Sequence, residues 1–305
     1  SEMCIRDSSN TWLIESAKWH KGTHDLGFII GDSFGKAYQL TGEQSYRDVM
    51  LQAARTLCTR YSPKVGCIRS WDHNADRWTF PVIIDNMMNL ELLFEAYKLT
   101  GDKCFYDIAV SHADVTMKNH FREENSSFHV VDYDPTTGSV RSRITHQGYS
   151  DDSFWSRGQG WGLYGYTLCY RYTHDQRYLN MAKGISEFLF SLKNMPKDGI
   201  FYWDMKDPAI PNAPRDASAA ALVASALYEL QAYVDVELGK QYIAYADKIV
   251  NSLIDHYQAP VGSNQGFLLL HSTGHKPANS EVDVPINYAD YFYLEALRRK
   301  SLLEN

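Results

Sequence analysis

"GKAYQLTGEQSYRDVMLQAARTL" at residues 35–57 and "FEAYKLTGDKCFYDIAVSHADVTM" at residues 94–117 share A-Y-x-L-T-G-[DE], and their starts lie 59 residues apart (94 minus 35). A looser third copy, "GYTLCYRYTHDQRYLNMAKGISEFL", occupies 165–189, and a fourth, "AALVASALYELQAYVDVELGKQYIAYADKIVNSL", occupies 220–253. In each, an apolar helix ends at Gly or His, an acid follows that can cap the next helix, and a second helix places Tyr and Ala on its buried face. The unit is an αα-hairpin. A lone hairpin cannot bury its apolar face, so repeated copies stack, either as an open solenoid or as a closed barrel of inner and outer helices. The connections choose between the two. Those at 60–80, 120–158, 194–216 and 258–288 are long, polar and aromatic, far beyond the needs of a solenoid turn. On one rim of a closed α/α toroid they would form a substrate cleft. "YFYLEALRRK" at 291–300 reads as a closing helix. Four hairpins and a half fall short of a six-hairpin barrel, and the deficit lies at the N-terminal end.

A chain of 305 residues can bury a substantial core. Thirty basic against 37 acidic residues, a formal charge of -7, argue against a nucleic-acid surface. No apolar run approaches the roughly 18 to 20 residues that span a bilayer. Cys4, Cys58, Cys67, Cys104 and Cys169 show neither CxxC nor finger spacing and read as free thiols. The start, "SEMCIRDSSN", has no basic and apolar signal-peptide regions, and "MCIRDS" resembles a translated sequencing-library adapter. Residues 1–8 are therefore expected to be a non-native or disordered leader, and 9–305 a single α/α-barrel domain. The compartment, bacterial cytoplasm or periplasm, and the oligomeric state are not readable.

Four aspartate-bearing stretches compete for chemistry. "THDLGF" sets His24 and Asp25 before an apolar helix, where Asp is also an ordinary N-cap. "FPVIIDNMMNL" sets Asp85 among apolar neighbours, a costly place for a carboxylate without partners or a raised pKa, which favours function. Asp151 and Asp152 precede a helix expected near Trp155, and one of them suits its cap. Asp216 or Ser218 suits the cap of the helix that begins in "RDASAAA".

The stretch "THQGYSDDSFWSRGQGWG" at 145–162 has the composition of a sugar site. Arg157, Gln159 and Trp161 alternate with glycines that let a ligand approach closely, Trp faces stack on a pyranose, and an Arg fork clamps a carboxylate. His24, His129 and His146 fall in separate loops without HxH or HExxH spacing, so no metal site and no cofactor is expected. Neither a phosphate loop nor a G-x-S-x-G nucleophile is present.

Taken together, "HDLGF", "IIDNMMNLELLF", "SSFHVVDYDPTTG", "THQGYSDDSFWSRGQGWGLYG", "YWDM", "RDASAAA" and "DYFYLEAL" occur in the order found in the unsaturated glucuronyl hydrolases, glycoside hydrolase family 88, which this chain resembles from about residue 17 onward. The resemblance implies an all-α, (α/α)6 six-hairpin barrel acting on the unsaturated uronic acid that polysaccharide lyases leave at a non-reducing end. It implies Asp85 as acid/base and Asp25 as the second essential aspartate. It implies that His129, Gln147, Trp155, Arg157, Trp161 and Trp71 contact the sugar. Lys276 of "HSTGHK" lies where some relatives recognise a sulfate. The family's further N-terminal hairpin, with a W-x-x-G-F-W-like helix, has no counterpart here, which implies a barrel short of one hairpin. Two readings compete: the related unsaturated rhamnogalacturonyl hydrolases of family 105, against which the His24-Asp25 pair and "SSFH" speak, and an inactive carbohydrate-binding barrel.

The implied substrate is an enol ether, because C5 of its C4=C5 bond also carries the ring oxygen. One carboxyl can protonate C4 and then activate the water that adds at C5, acting first as general acid and then as general base. The apolar flanks of Asp85 are expected to raise its pKa towards neutrality, with Asp25 holding substrate or setting that protonation by like-charge repulsion.

Overall fold

A computed structural model describes residues 12–304; the leader expected at 1–8 lies outside them. The chain divides into two compact units, one running to Asn119 and including Val131–Ser142, the other comprising His120–Val130 and Arg143 onward.

The first unit holds the first two repeats. Helix α1, Leu26–Ile30, passes through a π turn, Gly31–Gly35, into α2, Lys36–Thr41, and α3 follows at Gln44–Cys58. Helix α4, Leu90–Thr100, is paired with α5, Lys103–Asn119. Between the partners stand Gly42 at φ 70° and Gly101 at φ 72°, left-handed positions that cost glycine little and close the first helix of each pair. The acid after the glycine is used unequally. Asp102 Oδ1 accepts from the Cys104 amide at 3.0 Å, whereas the Glu43 side chain makes no cap bond. Helix α3 turns Val49, Met50, Ala53 and Leu57 inward at helical spacing, and each large apolar side chain so buried contributes about 1.5–3 kcal/mol.

Short strands, not foreseen from the sequence, run through the connections. β1, Tyr61–Ser62, pairs antiparallel with β2, Cys67–Ile68. A three-stranded sheet has the order β3, Pro81–Ile83, then β4, Val130–Tyr133, then β5, Val140–Ile144. Val65, Cys67, Phe80, Val82, Val131 and Tyr133 form a buried cluster beneath these strands. Strands of two to five residues carry too few positions for a period of two to be visible.

The second unit holds the other repeats. Helix α6, Ser156–Thr173, ends at His174, whose φ of 54° does the work of a glycine, and Asp175 caps α7, Gln176–Phe190, by accepting from the Arg177 amide at 2.9 Å. Asp216 caps α8, Ala217–Leu230, as expected, and Asp235 caps α9, Val236–Ser252. Helix α10, Asn287–Glu304, contains the expected closing helix. All of α8 except Glu229 is buried, and it packs against α6, α9 and α10, which is why "ASAAALVASALYEL" is apolar all round. An antiparallel hairpin of β6, Ser272–His275, and β7, Ser280–Val284, completes the unit.

Among the described residues, no helix is long and apolar enough to cross a membrane, and no group of three His, Cys, Asp or Glu side chains is arranged to hold a metal ion.

Candidate functional site

In the first unit, Ser70 draws three segments together. Its carbonyl accepts from the His24 amide at 3.0 Å, its amide donates to the Pro81 carbonyl at 2.8 Å, and its hydroxyl accepts from the Ile83 amide at 3.0 Å. The loop bearing Asp25, the segment bearing Trp71 and the strand that leads to Asp85 thus meet at one buried serine. Thr23 and Trp71 also pair as an isolated bridge. Trp71 is buried, with its ring on edge to Trp78 at 5.8 Å and stacked on His73 at 5.2 Å.

Asp25 does not cap α1 through its side chain, contrary to the capping alternative for it. Its carboxylate is 56% exposed and accepts from Thr23 Oγ1 at 2.9 Å, with His24 Nε2 at 3.2 Å from the other oxygen. His24 itself is 2% exposed, and burial pushes its pKa below the ordinary value despite the pull of Asp25. Asp85 stands in the first turn of a 3-10 helix, Ile84–Asn89, half-buried, with Ile83, Ile84, Met87 and Met88 buried around it. Asn89, at the end of that helix, accepts from the Phe28 amide at 2.7 Å and lies 3.3 Å from His24 Nδ1.

In the second unit, the segment from Thr145 to Gly162 is folded over Asp204. That buried carboxylate accepts from the Ser153 hydroxyl at 2.6 Å, the Tyr149 amide at 2.9 Å and the Lys206 amide at 2.9 Å, while burial raises its pKa against those bonds. His129 Nδ1 accepts from the amides of His146 and Gln147, both at 3.0 Å, which puts the ring proton on Nε2. Burial, then the neighbouring His146, His275 and Arg157, hold His129 well below its ordinary pKa. Trp155 lies against His129, ring centroids 4.8 Å apart, and the Arg157 guanidinium sits 4.5 Å from the Trp155 ring.

Arg157 departs from the expected clamp geometry. It is 2% exposed, and its fork donates to Asp216 Oδ2 at 2.7 Å, Ser218 Oγ at 3.2 Å, the Thr273 carbonyl at 2.6 Å and the Gly274 carbonyl at 2.7 Å. These bonds tie the start of α8 to β6, and Gln147 Nε2 donates to the same Gly274 carbonyl at 3.1 Å. Lys276, just past β6, lies 3.4 Å from Asp207 and 5.0 Å from the Trp203 ring centroid. Trp161 is buried against Tyr288 and Phe292.

Two local readings of this segment are corrected. The glycines open helix packing rather than a ligand path: a Cβ on Gly160 would come within 2.7 Å of Leu222, and one on Gly162 within 3.1 Å of Phe121. Residues two apart on a helix are about 200° apart around it, so Gln159 points away from Arg157 and Trp161, which are four apart and share a face, and Gln159 instead grips Ser127. Nor does Asp152 cap α6; the N-cap is Trp155 without a side-chain bond, and Asp151 accepts from the Thr145 amide at 2.8 Å within its own loop. Ser70, Asn89 and Asp204, which support the candidate site residues, are not singled out by the sequence; only Asp204, an acid that directly follows Phe201, Tyr202 and Trp203, carries a visible sign.

Residues 30–296 match the profile of Glycosyl Hydrolase Family 88. The chain is 50% identical over 295 residues to the unsaturated glucuronyl hydrolase of Formosa agariphila, covering 96% of this chain and 73% of that protein. It is 37% identical over 278 residues to the unsaturated chondroitin disaccharide hydrolase of Streptococcus pneumoniae, covering 90% and 70% respectively. A solved unsaturated glucuronyl hydrolase specific for heparin matches with a TM-score of 0.94 at 46% identity, over 96% of this chain and 78% of that one. That likeness shows the fold, an all-α barrel of helical hairpins of the kind the repeat implied.

Proposed function

The chain belongs to glycosyl hydrolase family 88, and from that premise we propose that it removes the 4-deoxy, C4=C5 unsaturated glucuronic acid from the non-reducing end of lyase-generated oligosaccharides, with Asp85 as the acid and base. It is a glycoside hydrolase, and its ligand is an oligosaccharide containing an unsaturated uronate. Its relatives include an unsaturated glucuronyl hydrolase specific for heparin and an unsaturated chondroitin disaccharide hydrolase, so both glycosaminoglycans are candidate sources of the oligosaccharide.

Proton transfer from the Asp85 carboxyl to C4 leaves an oxocarbenium-like centre shared by C5 and the ring oxygen. The resulting carboxylate takes a proton from water as the water oxygen bonds to C5, giving a hemiketal. The hemiketal opens to a C5 ketone, the ring oxygen becomes a hydroxyl on C1, and the C1 hemiacetal collapses to an aldehyde with release of the sugar partner. The anomeric carbon is never attacked, so the spacing rule for paired glycosidase carboxylates does not apply. The observation that carries this reading is Asp85 itself: a half-buried carboxyl in the first turn of a short helix, ringed by buried Ile and Met side chains.

Asp25 is assigned the substrate or the protonation state of Asp85. Trp71 and Trp155 are assigned the sugar ring, and His129 and Gln147 its polar groups. Arg157 and Trp161 are assigned the support of these groups from behind. Lys276 is assigned a sulfate or other anionic substituent. Incubation with unsaturated chondroitin and heparin disaccharides, following loss of the near-ultraviolet enoate absorbance, tests the proposal. Turnover is expected. Turnover of unsaturated galacturonyl-rhamnose alone would give the site to the family 105 reaction, and no turnover of any would leave a carbohydrate-binding barrel.

A further inference from the structure

The Phe28 amide can only donate, so the Asn89 atom 2.7 Å from it is the carbonyl oxygen, and the amide nitrogen of Asn89 faces His24 Nδ1 at 3.3 Å. That nitrogen carries hydrogens and no acceptor. His24 Nδ1 must therefore present its lone pair, and a neutral ring carries its proton on Nε2, the atom 3.2 Å from Asp25 Oδ1. Thr23 Oγ1 donates to the second Asp25 oxygen at 2.9 Å. The direction of every bond from the Phe28 amide to the Asp25 carboxylate is fixed by the first.

The backbone is built to keep this chain closed. Any Cβ on Gly27 would lie 2.7 Å from Asn89 Cβ and 2.8 Å from both Asn89 oxygens, so only glycine lets α1 approach the 3-10 helix this closely. The His24 amide is held by the Ser70 carbonyl. Asn89 is 1% exposed and stands on the same six-residue helix as Asp85.

We propose that Asn89 is a positioning residue of the reaction: it holds His24 as the Nε2–H tautomer that grips Asp25, and so couples the helix bearing Asp85 to the orientation and charge of the second aspartate. The proposal rests on the assignment of Asp85 and Asp25 to the reaction. A neutral His24 donates to Asp25 without neutralising it, which preserves the negative charge that Asp85 feels. Besides Asn89, the groups facing the imidazole are Asp25, Asn86 and the Arg60 guanidinium; Asp25 and Asn86 favour its protonation, and burial and Arg60 oppose it.

Asn89→Asp tests this with little change of shape. The oxygen facing Phe28 remains an acceptor, and the atom facing His24 changes from donor to acceptor. The ring must then take a proton on Nδ1, as a cation or as the opposite tautomer that releases Asp25. In the parent protein, ring-nitrogen NMR near neutral pH is expected to show His24 neutral and protonated on Nε2; in the variant, Nδ1 is expected to carry the proton. The variant's kcat is expected to fall by about 10-fold or more with KM changed by less than about 3-fold, and the acid limb of its pH profile to move. A parent His24 protonated on Nδ1 overturns the proposal without any variant being made. So does an active parent, silenced by Asp85→Asn, whose Asn89→Asp variant keeps the parental kcat and pH profile. A parent that turns over no unsaturated disaccharide sinks the functional reading instead, and separates that failure from this one.

Discussion

Asp85 is the residue on which the proposed chemistry turns. Asp85→Asn preserves size and polarity but can neither give nor take the proton, so kcat is expected to fall at least about 100-fold with the thermal midpoint nearly unchanged. A variant within a few-fold of the parent would remove Asp85 from the reaction. Arg157 is different in kind. A lysine there keeps the charge beside Asp216 but cannot serve the Ser218 hydroxyl and the Thr273 and Gly274 carbonyls at once. Arg157→Lys is therefore expected to destabilise the protein by about 2–4 kcal/mol and to raise KM more than it lowers kcat, because β6 is released. Denaturant titration beside steady-state kinetics checks both, and an unchanged midpoint would mean those bonds contribute nothing net. At this scale the acids and aromatics of the candidate site stand out in the sequence because their types are costly outside one. Their supports do not. Asn89 meets Phe28 across 61 positions and Asp204 meets Ser153 across 51, and nothing local in "NMMNL" or "YWDM" announces such partners.

The hairpins show what local rules can carry. Each break is made by a residue at positive φ, Gly42, Gly101 or His174, or by a short 3-10 turn, Gln231–Tyr233, and the caps at Asp175, Asp216 and Asp235 accept amides from the first turn of the helix they precede. These signals lie within a few residues of one another, so they survive in the sequence as A-Y-x-L-T-G-[DE] and T-H-D. Asp235→Ala removes two cap bonds, to Glu237 and Leu238, and is expected to cost about 1 kcal/mol with activity retained. Gly101→Ala forces a Cβ into the left-handed region and is expected to cost about 1–2 kcal/mol, though no atom stands in the way. Differential scanning calorimetry of the two variants separates a cap effect from a backbone one, and a Gly101→Ala protein as stable as the parent would show that the turn can relax. The strands were illegible for the opposite reason: their pairing is set by distant segments, as where Ser70 joins the strand before Asp85 to the loop of Asp25.

Over the whole molecule, acid sensitivity can be traced to two of the buried imidazoles, His24 in the first unit and His129 in the second. His24 and His129 both have folded pKa values below the unfolded value of about 6.5, each chiefly because burial disfavours the cation. Above about pH 6.5 neither state binds these protons and stability is indifferent to them. Below it the unfolded chain is protonated while the folded one is not, so unfolding takes up protons and stability falls as pH falls, until the folded values are reached. Two such groups give a limiting slope of about 2.7 kcal/mol per pH unit. Asp72, Asp175 and Asp207, whose folded values are lowered, lose their stabilisation only nearer their unfolded value of about 3.9. Asp204, whose folded value is raised, acts in the opposite sense as the folded protein takes up its proton. The decline that begins just below pH 6.5 therefore belongs to the histidines. Urea midpoints measured at pH 7.5, 6.5 and 5.5 are expected to fall little across the first step and more steeply across the second. In His129→Gln, whose side-chain carbonyl can still accept from His146 and Gln147, the drop is expected to be shallower. Midpoints that stay level to pH 5.5 in the parent would mean that both imidazoles can be charged inside the folded protein, and that burial does not hold them neutral.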